Sequence, residues 1–206
     1  MNYLAHLLLS GPDPEMMLGG WLGDFVKGPL TGARIAHLTP GIVRGIVRHR
    51  QIDVFCDAHP RVQTSIGRLG PDLRRTGGIA IDVCYDHFLA RHWQRYHQTP
   101  LADYSSAVYA LLERSRPSLP AAAQRFAQRA QSYRLLESYA EFSTLAEVLP
   151  RIAQRLSRPT PLGESFARLQ TAYPQLEQDF ELFFPELLAF AGLSGSPLSE
   201  AHPASQ

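Results

Sequence analysis

The chain has 206 residues, 20 basic and 19 acidic, and a formal net charge of +1. That size suits one domain whose core needs neither disulfides nor a structural metal, and near-neutrality excludes the global positive field of a nucleic-acid binder. Its two cysteines, Cys56 and Cys84, sit among apolar neighbours with no CxxC pair, which argues against a disulfide scaffold or zinc ribbon and for a reducing cytoplasm.

No alternating apolar run bounded by hairpin turns is present, while helical periodicity recurs between Gly and Pro punctuation. The pattern predicts an all-α, single-domain compact bundle over residues 1–192, with a Ser-, Pro- and Ala-rich tail at 193–206 expected to be disordered. The first helix, 2–10, is apolar, but it lacks the basic start of a signal peptide, and Gly11-Pro12 ends it far short of a membrane span. It carries His6, and a lone histidine on such a face is more often a hydrogen-bonded core residue than a ligand. In the second, 14–27, Gly19, Gly20 and Gly23 strip side chains from one face, so another backbone or a ligand can come close. Asp24 stands at the edge of that clearing, with Lys27, the only lysine, just beyond.

The third helix, 39–57, places Ile42, Ile46, His49, Asp53, Cys56 and Asp57 on one face. Arg44, Arg48 and Arg50 share this helix, and Arg61 opens the next, 60–69. Arginine favours planar contacts with carboxylates and phosphates, so this bias is either a solvated surface or a docking face for an acidic or phosphorylated partner. The fifth helix, 77–97, repeats the inward pattern with Asp82, Tyr85, Asp86, Leu89, Trp93 and Tyr96. Helices at 101–115, 120–136 and 139–156 read as ordinary amphipathic elements. Tyr133, Tyr139, Phe142 and Leu145 either seal the core or cover a site. In the last helix, 162–191, Pro185 is expected to kink or interrupt the turn.

Acids on an inward face need a cation, because an unpaired buried carboxylate costs several kcal/mol. Asp82 and Asp86 lie about 6 Å apart along their helix, so their oxygens can converge on one ion, and His87 follows about 100° round. With His49 and Asp53 from the neighbouring helix, the donors form a mixed nitrogen and oxygen cage suited to Mn²⁺, Fe²⁺ or Zn²⁺. The alternative is a core network in which Asp53 and Asp86 pair with Arg50 and Arg91. That would make the protein a non-catalytic helical adaptor for an acidic partner.

Four blocks resemble the acyl carrier protein phosphodiesterase family: the opening Met1-Asn2-Tyr3-Leu4-Ala5-His6-Leu7, Gly20 through Gly28, His49-Arg50-Gln51-Ile52-Asp53 with Asp57, and Asp82 through Trp93. The resemblance implies an all-helical, metal-dependent hydrolase, HD-domain-like, that removes phosphopantetheine from holo acyl carrier protein with Mn²⁺ as the expected ion. It implies that the aspartate at Asp24 is needed for activity; on the matching positions we assign His6 a catalytic role beside it, and Asp24, His49, Asp53, Asp86 and His87 the role of metal ligands. HD-domain enzymes carry adjacent His-Asp, whereas this chain has the reversed order Asp86-His87. Carrier recognition is expected from Lys27, Arg44, Arg48, Arg50 and Arg61, since an acidic partner is steered by opposite potential. No nucleic-acid or membrane partner is expected. A metal-dependent hydrolase of a nucleotide or small phosphodiester is the alternative enzyme.

Overall fold

Proline set just inside a side-chain cap starts several helices, because its missing N–H is an orphan there and its φ suits the first turn. Asp13 caps α2 (Pro14–Leu22), Thr39 caps α3 (Pro40–Ala58) and His59 caps α4 (Pro60–Arg68). These elements, with α1 (Tyr3–Leu9), α5 (Gly77–Arg91) and α6 (Leu101–Arg114), come from a computed structural model that describes residues 1–32 and 35–193. Smaller helices follow: α7 (Ala121–Ser132), α8 (Leu135–Ser138), α9 (Thr144–Ala153), α10 (Phe166–Thr171) and the long α11 (Tyr173–Phe190). The fold is all-α, with no strand among the described residues. The expected tail lies outside them apart from Leu193.

α2 and α3 make the closest pairing. A Cβ on Gly19 would lie 2.3 Å from the Ile42 carbonyl oxygen, and one on Gly45 would lie 2.3 Å from that of Met16. The glycine clearing therefore admits a helix backbone, and the two axes come together as only side-chain-free positions allow. Phe180 and Phe183 of α11 pack on Tyr85 of α5, Phe180 also meets Phe88, and Phe184 stacks on Phe180.

Several expected boundaries shift: the helix expected at 14–27 ends at Leu22, which leaves Asp24 beyond it, and that expected at 77–97 ends at Arg91. The helix expected at 120–136 splits where Arg134 takes a left-handed conformation (φ 47°), separating α7 from α8. The helix expected at 162–191 divides before Pro174, which occupies the first turn of α11. Pro185 does not interrupt α11, which runs through it to Phe190. Its neighbours Phe183, Phe184 and Leu187 are fully buried, and that packing holds the helix through a residue that supplies no amide of its own.

Candidate active site

His6 from α1 meets His49 and Asp53, which are one turn apart on α3, and one donor atom from each lies within 4.8 Å of the others. The Asp53 carboxylate spans the pair, with Oδ1 3.1 Å from His6 Nε2 and Oδ2 3.2 Å from His49 Nε2. The two imidazoles stack, their centroids 3.6 Å apart. Glycine again permits the approach: a Cβ on Gly23 would lie 2.1 Å from His49 Cγ, so the end of α2 rests on the ring.

Hydrogen bonding fixes how these groups face each other. His49 Nδ1 lies 2.8 Å from the Gly20 carbonyl oxygen, which can only accept, so Nδ1 carries the proton. In a neutral ring, Nε2 then turns a lone pair toward the Asp53 carboxylate, and two acceptors face each other unless a proton or a cation lies between them. Burial lowers the pKa of His6, which favours the neutral ring that ligation requires. Its Nδ1 is buried without a partner. Burial pushes Asp53 upward, but its contacts with His49 and His6 outweigh this and hold it well below the usual carboxylate range. Two imidazoles and one carboxylate, with room beside them, fit a divalent ion that keeps positions open for water and substrate.

The group opens into a cavity of about 840 Å³. Asp24, Asp53, Asp57 and Asp82 line it on the side of α2, α3 and α5. The side formed by α7 and α9 presents Phe126, Arg129, Ala130 and Tyr133 from one helix and Val148, Arg151, Ile152 and Arg155 from the other. Asp24 lines this cavity, accepts a hydrogen bond from the Tyr3 hydroxyl and is 3.6 Å from Lys27. Tyr139 and Leu145 are core residues, and Tyr139 accepts a 2.8 Å bond from Asn2 Nδ2.

The structure does not bring Asp86 and His87 into the group. Asp86 is fully buried and accepts the Asn2, Leu4 and Ala5 amides at 3.2, 2.7 and 3.3 Å, which makes it the cap of α1 supplied by α5. Burial pushes its pKa up to about 7, against the pull of those amides and the nearby Met1 ammonium. Asp82 takes that ammonium at 2.6 Å. His87 spends both ring nitrogens, at 2.7 Å each, on the Tyr139 carbonyl and the Tyr173 hydroxyl. The alternative arginine network is also absent among the described residues: Arg50 donates to the Val26 carbonyl and Arg91 approaches Glu177.

The expected docking arginines lie off the cavity as well. At about 100° per residue, Arg48 and Arg44 sit about 100° and 140° from His49 round α3. Arg48 donates to the Ala191 carbonyl, Arg61 approaches Glu186 and Arg50 lines a separate groove with Val47, Val54 and Phe190. The arginines that do reach the cavity, Arg129, Arg151 and Arg155, were legible in principle. Residues 126, 129, 130 and 133, like 148, 151, 152 and 155, follow the i, i+3, i+4, i+7 spacing of one helix face, so each inner face carries arginine.

Comparison with known sequences adds the decisive observation: the sequence model of the family described as acyl carrier protein phosphodiesterase matches residues 1–187. The chain belongs to the acyl carrier protein phosphodiesterase family. A relative of that name from Serratia proteamaculans (strain 568) is 37% identical over 192 residues, covering 91% of this chain and 96% of its own. One from Yersinia pestis is 36% identical over 189 residues, with the same coverage, and one from Salmonella agona (strain SL483) is 34% identical over 193. No solved structure matches the chain. The phosphodiesterase match thus spans α1 through most of α11, including every residue of the cavity.

Proposed function

We propose that this chain hydrolyses the phosphodiester joining 4′-phosphopantetheine to a serine of holo acyl carrier protein, with a divalent ion, Mn²⁺ in our reading, held by His6, His49 and Asp53. The observation that carries the reading is the His6, His49 and Asp53 group itself, opposed donors converging within 4.8 Å at the edge of a cavity. An ion bound there would draw electron density from the phosphoryl oxygens and lower the pKa of a bound water. His49 is held in the ligating tautomer by the Gly20 carbonyl, and Asp53 bridges the two rings.

In this reading Asp24, which lines the same cavity, takes the proton of the attacking water, and the Tyr3 hydroxyl orients it. As the new oxygen–phosphorus bond forms, the bond to the carrier serine breaks and the serine oxygen takes up a proton. Two free, buried thiols, Cys56 and Cys84, suit a reducing cytoplasm, and no described helix is long and apolar enough to cross a membrane.

A substrate panel tests the assignment. Steady-state rates on holo acyl carrier protein, a cyclic nucleotide and bis(p-nitrophenyl) phosphate should show kcat/KM highest for the carrier. A preference for either small diester would overturn the carrier assignment while leaving the phosphodiesterase chemistry in place.

A further inference from the structure

Resting on the reading just given, we infer that Arg129 and Arg155 form the phosphate-binding wall of the cavity and hold the phosphoryl group of the phosphopantetheine arm against the His6, His49 and Asp53 group. The two arginines reach the cavity from different helices, α7 and the end of α9. Four aspartates line the same cavity, yet neither arginine has a carboxylate within 4.0 Å among the described residues. Arg151, between them in the sequence, is already engaged with Glu147 at 2.9 Å.

Acids and arginines that share one cavity without pairing are held apart by the fold. The space between them suits an anion that is met by a cation on the acidic side and by guanidinium groups on the other. A phosphodiester is such a ligand: its two free oxygens accept the planar fork of arginine, which a neutral arm would leave unsatisfied. The apolar residues next to the arginines, Phe126, Ala130, Val148 and Ile152, give the uncharged part of the arm a surface to lie on.

The experiment compares wild type, R129A/R155A, R129K/R155K and the control R125A, whose arginine is exposed on α7 and does not line the cavity. Each is loaded with Mn²⁺, its metal content measured, its binding of free 4′-phosphopantetheine followed by calorimetry and its kinetics recorded on holo carrier protein. R129A/R155A should keep its metal and its circular dichroism but bind phosphopantetheine at least about tenfold more weakly, with kcat/KM falling by a similar or larger factor. The lysine pair should recover part of the loss and R125A should match wild type. Unchanged phosphopantetheine affinity in R129A/R155A, as expected if these side chains merely extend into water, would overturn the inference, and so would an equal loss in R125A. Arginine-dependent binding in a wild-type protein that leaves the carrier intact would sustain this wall while removing the hydrolytic reading.

Discussion

Asp53 and Asp86 are both inward acids, and the structure gives them different work. Asp53 faces two imidazoles across a gap suited to an ion, whereas Asp86 is surrounded by backbone donors. Asp53→Ala should therefore lose the divalent ion, read as metal per chain after gel filtration, with a modest change in melting temperature in the metal-free state. Asp86→Ala should keep its metal but lose about 3 kcal/mol of stability in urea, because three amide hydrogens of the first turn lose their acceptor in the core. Metal loss in the folded Asp86→Ala protein would place that carboxylate in the ion's coordination after all. Asp24→Asn preserves shape and the contact with Tyr3 but removes the basic carboxylate. Turnover should drop about a hundredfold or more with circular dichroism unchanged, and near-native kcat would move Asp24 out of the chemistry.

At the scale of elements, the glycines of α2 decide the site's geometry. Gly19→Ala forces apart two backbones that a Cβ would approach to 2.3 Å and should cost about 1–3 kcal/mol in chemical denaturation. Gly23→Ala pushes instead on the His49 ring and should lower activity more than stability; the reverse order would show that the ring has room to yield. Much of this was readable from the chain, since Pro14, Pro40 and Pro60 mark helix starts and the spacing of Gly19, Gly20 and Gly23 announces a close approach. The break at Arg134 was not readable, because a left-handed arginine leaves no local signature. Periodicity told that Asp82, Asp86 and His87 turn inward but not what they meet, since the amides of α1 and the Tyr139 carbonyl are brought to them by tertiary structure. His6 was unremarkable on α1 until α3 arrived beside it.

Across the whole molecule, His87 ties α5 to the turn before α9 and to α11 through its two ring nitrogens. Burial lowers its pKa below the unfolded value, so as pH falls through about 6.5 the unfolded chain takes up a proton that the native state refuses. The contribution of His87 should accordingly decline below that pH, while Asp86, with its raised pKa, acts in the opposite sense; in urea unfolding between pH 7.5 and 5 the stability of wild type relative to His87→Gln should therefore shrink as pH falls, and a constant difference would show that His87 titrates freely in the fold. The larger claim concerns the cavity where the acids of α2, α3 and α5 face the arginines of α7 and α9. It is tested most directly by intact-mass spectrometry of holo acyl carrier protein after incubation with this protein and Mn²⁺, alongside the Asp53→Ala variant. Wild type should convert the carrier to its apo mass, with phosphopantetheine released, and Asp53→Ala should leave it holo. A carrier that stays holo with wild type, or turns apo equally with both proteins, would contradict it.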